Sequence, residues 1–300
     1  MTARTDADHP VMSHFFRNYL RLIKFRLLSL VLVSTCMGFY ISNNSLSSIS
    51  VLLYALIGIT LVGGGANSLN QWKERDADAL MLRTRNRPLP AQRLTPDNAL
   101  GFGILISCCG FVALGYYVNS LTLVLSFLSW AIYLFVYTPL KTRTVLNTWI
   151  GAVPGAIPAV LGATAASGTL EISALALFLT LYVWQMPHFF AISWIYRDDY
   201  LRGGFKMLSW DDDHGATTAL HILAHSILLI PISTGLFWSG DSGVVYLFAA
   251  ICSGFVFLYF ALQFYLNTSK ITAKKLFHYS ILYLPLLFAA IILDHMLVIA

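Results

Sequence analysis

The sequence predicts an all-α, polytopic membrane helix bundle with nine transmembrane helices, and three observations carry that reading. The 300 residues are 57% hydrophobic and 11% charged, with a mean hydropathy of +0.70, whereas a soluble domain carries about 25% charged residues. The apolar residues come in blocks of about twenty, the length that crosses a bilayer core as a helix and about twice what a barrel strand needs. Every Lys and Arg lies in the N-terminal segment or in alternate connections between blocks. A soluble enzyme, a disordered chain and a disulfide scaffold are excluded.

Residues 1–26 are polar and of mixed charge, unlike a cleaved signal peptide, so they form a cytoplasmic segment and the first apolar block stays as an anchor. Residues 27–300 form a single transmembrane domain. Its blocks run at about 27–45, 51–70, 98–117, 120–138, 148–166, 170–192, 219–239, 243–265 and 278–299. If the blocks alternate sides, all nineteen cations share the face of the N-terminus. The positive-inside rule makes that face cytoplasmic and sends the C-terminus outside. The outer connections (42–50, 118–120, 167–169 and 239–243) are short and almost uncharged. The two long connections, at about 71–97 and 193–218, are both cytoplasmic, and loops of that length are usually functional or disordered. Cys36, Cys108, Cys109 and Cys252 sit in apolar blocks without a CxxC spacing and read as small packing residues.

The first long connection opens with Asn70, Glu74 and Asp78 at i, i+4 and i+8. If the second block continues as a helix, these three line one face at the membrane edge. Oxygen donors of that kind suit a hard cation such as Mg²⁺, which takes one or two carboxylates and leaves positions for phosphate. A solvated acidic–basic helix end is the plainer alternative. Asp76 points elsewhere on an ideal helix. Arg83, Arg85 and Arg87 follow at alternate positions beside Pro88 and Pro90. Arginine holds phosphate bidentately, although such a strip also serves topology and anionic lipid.

The second long connection echoes the first: Trp72-x-x-Arg75-Asp76 is matched by Trp194-x-x-Arg197-Asp198, 122 residues on, followed by Asp199, Tyr200 and Lys206. Two acidic–basic patches on one face point to a shared cytoplasmic cavity. Between them lies a basic turn with Tyr137, Lys141, Arg143 and Asn147. Gly151-xxx-Gly155 in the fifth block allows close helix contact, or thin walls around a flat ligand. A kink at Pro187 beside Gln185 and His188 is a default site hypothesis at membrane depth. His221 and His225 form an i, i+4 pair without an evident third ligand, and the Asp211–Asp212–Asp213–His214 run reads as solvated loop.

These motifs resemble the UbiA-type intramembrane prenyltransferases. Asn70-xxx-Glu74-xxx-Asp78 is similar to their first acidic motif, with Glu in place of the more usual first Asp. The stretches from Arg83 to Pro88, Tyr137 to Asn147, Trp184 to His188 and Asp199 to Gly204 resemble the branch that farnesylates protohaem IX, and the resemblance covers about residues 20–295. Tyr196 and Tyr200 stand where quinone-type members carry Asp. The resemblance implies transfer of farnesyl from farnesyl diphosphate to a vinyl group of protohaem IX, giving haem O, in a bacterial inner membrane. It also implies Mg²⁺ held by Asn70, Glu74 and Asp78, with Asp198 and Asp199 as a second patch. Lys141, Arg143, Arg83, Arg87, Arg197 and Lys206 are then clamps for diphosphate or haem propionates. Tyr137, Asn147 and Tyr200 line the substrate site, and His188 is a haem contact. A haem A synthase or terminal oxidase is the implied recipient, and no nucleic acid is involved. The rival readings are a quinone-precursor prenyltransferase and a non-enzymatic haem carrier or transporter. One-sided charge disfavours the transporter, because alternating access needs a polar exit.

Overall fold

A computed structural model describes residues 11–42 and 49–299, with side chains from 16 to 297 within them. The first ten residues of the N-terminal segment, including Arg4, lie outside the described residues. So do residues 43–45 of the first expected block and most of the first outer connection. The described chain is helical, with no strand: α1 (Val11–Leu22), α2 (Phe25–Ile41), α3 (Ile49–Leu80), α4 (Pro96–Tyr117), α5 (Ser120–Leu140), α6 (Asn147–Ser167), α7 (Ile172–Ile195), α8 (Arg197–Arg202), α9 (Ala216–Trp238), α10 (Val244–Leu266) and α11 (Lys270–Ile299).

Eight of these helices are each long and apolar enough to cross a membrane. The first expected span differs. It is α2, of 17 residues, and it reaches spanning length only together with the end of α1, across a 54° bend. Lys24 makes the bend in a left-handed conformation, φ 54°. A broken helix leaves carbonyls that must find donors where water is scarce. Two side-chain amides on α3 supply them. Asn67 Nδ2 donates to the Ile23 carbonyl at 3.0 Å, and Gln71 Nε2 donates to those of Leu22 and Arg21 at 2.6 and 3.2 Å.

The largest apolar core joins α6, α7, α9, α10 and α11, and a second joins α2, α3, α4 and α6. α6 takes part in both and is the most buried span, with 67% of its apolar window inside the protein. Glycine sets the closest helix approaches. Gly58 and Gly65 on α3 meet Gly110 and Gly103 on antiparallel α4. A spacing of seven residues keeps both pairs on one seam, as in left-handed crossings. Between α2 and α6, a Cβ on Gly38 would strike the Ala159 carbonyl, and one on Gly162 would strike that of Thr35. The expected Gly151-xxx-Gly155 contact is not one between helix backbones. Gly151 faces the Tyr137 ring and Gly155 faces the Gln185 side chain, because α6 meets large side chains from α5 and α7 there.

Buried carboxylates hold helix starts. Asp212 accepts from the N–H groups of Thr217 and Thr218 at the start of α9, at 3.3 and 2.7 Å. At the opposite end of the bundle, Asp294 of α11 accepts from Gly243, Val245 and Tyr246 at 2.8, 3.0 and 2.7 Å. Both satisfy otherwise orphaned donors and place negative charge at the positive end of a helix dipole.

Candidate functional site

α3 runs past its apolar block to Leu80, so the first part of the connection expected at 71–97 is helix. That continuation puts Asn70, Glu74 and Asp78 on one buried face, with exposures of 0%, 7% and 0%. Each meets a cation. Lys24 Nζ donates to Asn70 Oδ1 at 3.1 Å, Lys141 Nζ to Glu74 Oε1 at 2.7 Å, and Arg87 to Asp78 Oδ2 at 2.6 Å. The other Asp78 oxygen, Oδ1, is buried without a partner. Asp76 lies off this face, 90% exposed and 3.8 Å from Arg75.

α5 supplies the facing wall. It widens into a π-helical turn over Ile132–Tyr137, a distortion found at functional sites. Lys73 Nζ donates to the Leu134 carbonyl inside that turn at 2.9 Å. Thr138 Oγ1 donates to the Tyr133 carbonyl at 2.7 Å and accepts from Asn70 Nδ2 at 3.1 Å. Lys141 lies 4.6 Å from the Tyr137 ring centre and 5.4 Å from that of Phe205. Burial pulls the Lys141 ammonium down, but the Glu74 carboxylate and the Tyr137 and Tyr133 hydroxyls outweigh it and hold its pKa above the usual lysine value. A cavity of about 270 Å³ opens here, lined by Lys73, Glu74, Ala77, Thr138, Pro139, Thr142 and Phe205.

The second connection folds over the first. Asp199, buried, takes the backbone N–H of Leu82 on one oxygen and that of Arg83 on the other, each at 3.0 Å, and pairs with Arg202. Burial opposes ionisation, but these donors hold the Asp199 carboxyl below the usual aspartate range. Its partners are thus the backbone of the first connection and an arginine, not the α3 acidic face. Asp198 forms an exposed pair with Lys270 at 3.0 Å. Among the described residues, no three His, Cys, Asp or Glu side chains are grouped closely enough to hold a metal ion.

The expected clamps divide. Arg87 and Lys141 join the acidic face. Arg83 lies over the rings of Tyr196 and Tyr200, at 5.1 and 5.5 Å. Arg197 braces its own loop instead, donating to the Ser209 carbonyl at 2.7 Å and to Asp213 at 2.6 Å. Asn147 Nδ2 donates to the Lys206 carbonyl at 2.7 Å, and Lys206 N–H donates to the Lys141 carbonyl at 2.6 Å. Arg143 is exposed and Lys206 half-buried. His188 turns to α11, its Nδ1 2.7 Å from Ser280 Oγ and its ring stacked against Trp184 and Phe277. The Trp-x-x-Arg echo has one geometry in both copies. Arg75 lies 5.6 Å from the Trp72 ring and Arg197 5.9 Å from that of Trp194.

Sequence reasoning missed Lys24, Lys73 and Thr138. Lys24 was visible only as one of five N-terminal cations.

The described residues thus form a polytopic helical bundle with a paired acidic–basic helix face at one end. The chain belongs to the UbiA prenyltransferase family, whose model matches residues 31–289; it is an integral membrane protein. It is 41% identical to the Protoheme IX farnesyltransferase of Solibacter usitatus, over 93% of this chain and 98% of that one. It is 44% identical to that of Sorangium cellulosum, over 81% and 86%. Among solved structures it resembles a digeranylgeranylglyceryl phosphate synthase, with TM-score 0.78, 17% identity and coverage of 93% and 98%. A UbiA homologue from Archaeoglobus fulgidus bound to GPP and Mg²⁺ superposes with TM-score 0.67, 16% identity and coverage of 91% and 99%.

Proposed function

We propose that this chain transfers the farnesyl group of farnesyl diphosphate to a vinyl group of protohaem IX, with addition of water, to make haem O. The observation that carries this reading is the 41% identity to a Protoheme IX farnesyltransferase along nearly the whole of both chains. The acidic face supports it, because prenyl transfer needs no nucleophilic side chain but does need a place for departing diphosphate. The site faces the cytoplasm of a bacterial inner membrane, on the strength of the one-sided cations, and haem A synthase or a terminal oxidase receives the product.

The donors of α3 fit Mg²⁺: an amide and two carboxylates, all oxygen, with Asp78 Oδ1 buried and unpartnered. Asn70, Glu74 and Asp78 would hold it, and bound there it would neutralise diphosphate charge. Lys24, Arg87 and Lys141 are already drawn to these residues, so they stand where diphosphate oxygens arrive and stabilise the charge that builds as the allylic C–O bond breaks. The vinyl carbon attacks the allylic cation, the positive charge passes to the neighbouring carbon, and water adds there and gives up a proton, with diphosphate as the group that has left. Apolar helix walls keep water from the cation until the carbon–carbon bond has formed.

The test is product identification. Membranes holding the protein are incubated with farnesyl diphosphate and either protohaem IX or an aromatic acid, and the products are weighed by mass spectrometry. Prenylated haem is expected; prenylation of the aromatic acid alone would overturn the reading.

A further inference from the structure

The seam between α6 and α9 holds a group of rings that the acidic face does not use. His221 and His225 stand one turn apart on α9, with ring centres 5.9 Å apart. Trp149, in the first turn of α6, lies 5.3 Å from His221 and 6.4 Å from His225. Phe190 of α7 lies 5.9 Å from each. α6 and α9 both pack on α7, so Trp149 meets the two imidazoles beside Phe190 of α7. Trp149, His221 and His225 are all half-buried.

One hydrogen bond decides the chemistry of His225. Its Nδ1 lies 2.7 Å from the His221 carbonyl oxygen. A carbonyl can only accept, so Nδ1 carries the ring proton and the neutral imidazole keeps its lone pair on Nε2. Tying one ring N–H to a carbonyl is how proteins fix the tautomer and orientation of a metal-ligating histidine. Among the described residues, no carboxylate or thiolate completes a cage for a bare cation. A metalloporphyrin needs none, because its own ring supplies four nitrogens and the protein only an axial donor and apolar or aromatic walls.

We infer that His225 is, through Nε2, the axial ligand of a metalloporphyrin docked beside Trp149 on the α6–α9 seam. This rests on the proposed function, in which the porphyrin is the protohaem acceptor. A chain of bonds links the seam to the acidic face. Asn147, two residues before Trp149, bonds the Lys206 carbonyl, Lys206 bonds the Lys141 carbonyl, and Lys141 pairs with Glu74. Arg143, exposed in the turn before α6, offers a cation to a propionate at that end.

The probes are haem B, iron-free protoporphyrin IX, and the purified full-length protein as wild type, His225→Ala and His221→Ala. Wild type is expected to give an imidazole-ligated haem spectrum. His225→Ala loses it, and free imidazole restores it. In this variant haem affinity falls about tenfold or more, the scale of loss seen when a metal's ligand shell is weakened. Its affinity for protoporphyrin IX, which has no iron to ligate, is unchanged, and His221→Ala keeps the ligated spectrum. Equal losses for both porphyrins would reduce His225 to a packing residue and overturn the inference. So would a ligated spectrum that follows His221, or one that survives in His225→Ala. Wild type that farnesylates haem without an imidazole-ligated spectrum overturns this inference alone. His225-dependent ligation in a protein that does not farnesylate haem supports the ligand assignment and overturns the farnesyl-transfer reading.

Discussion

At the scale of single residues, the acidic face of α3 is a set of matched charges. Asp78→Asn and Glu74→Gln are expected to lower turnover by about 10²-fold or more, the loss typical when a charge-stabilising group is removed. Amounts of inserted protein should stay normal, and turnover per inserted molecule checks this. Chelation with EDTA should stop the reaction and Mg²⁺ should restore it, measured on the same membranes. Lys141→Met leaves Glu74 buried and unpaired, which costs about 3–5 kcal/mol; a lowered unfolding midpoint in detergent is the check. Asp199 gives a pH prediction. Its pKa is depressed in the folded state, so its stabilising contribution is present above the unfolded value of about 3.9. That contribution is lost as pH falls through the lower folded value. Hydrogen exchange at Leu82 and Arg83, corrected for the intrinsic pH dependence, should quicken only in that acidic range. In Asp199→Asn, where one acceptor oxygen remains, part of the protection is lost already at neutral pH.

At the scale of elements, periodicity made the spans legible, because apolar blocks of bilayer length report themselves. The i, i+4, i+8 spacing also placed Asn70, Glu74 and Asp78 on one face once α3 was allowed to continue. The break at Lys24 was not legible, since it depends on Asn67, Asn70 and Gln71 coming from α3. The partners of Asp199 and Arg197 were not legible for a related reason. Sequence shows that a charge exists, but the backbone amides and carbonyls that claim it belong to the fold. Glycine packing was legible only in part: Gly151 and Gly155 do sit in close contact, but against the side chains of Tyr137 and Gln185, whereas backbones meet at Gly38, Gly162 and the α3–α4 glycines. Gly162→Leu should therefore destabilise α2–α6 packing by about 1–3 kcal/mol, read as a lower unfolding midpoint. Gly168→Leu is not a fair control, because Gly168 has φ 74°. Gly101→Leu is one, since nothing lies near the position its Cβ would take.

At the scale of the whole molecule, the expectation that all nineteen cations share one face makes a topology prediction. In a variant lacking the four native cysteines, a cysteine at Arg85 should react with a membrane-impermeant thiol reagent only in inside-out vesicles. One at Thr169 should react only in right-side-out vesicles. The family and its chemistry were legible because the motifs that carry them are short and contiguous. The second acidic patch was not, because its meaning depends on two connections folding over each other.

Asp294 adds a mechanical consequence. α10 and α11 are joined at one end by a short turn, and at the other a single carboxylate grips three amide groups, those of Gly243, Val245 and Tyr246, around the start of α10. A hairpin pinned at both ends is a closed link. Its two rods cannot splay or slip lengthwise without first releasing that grip, so any breathing of the bundle has to be borne by the other helices.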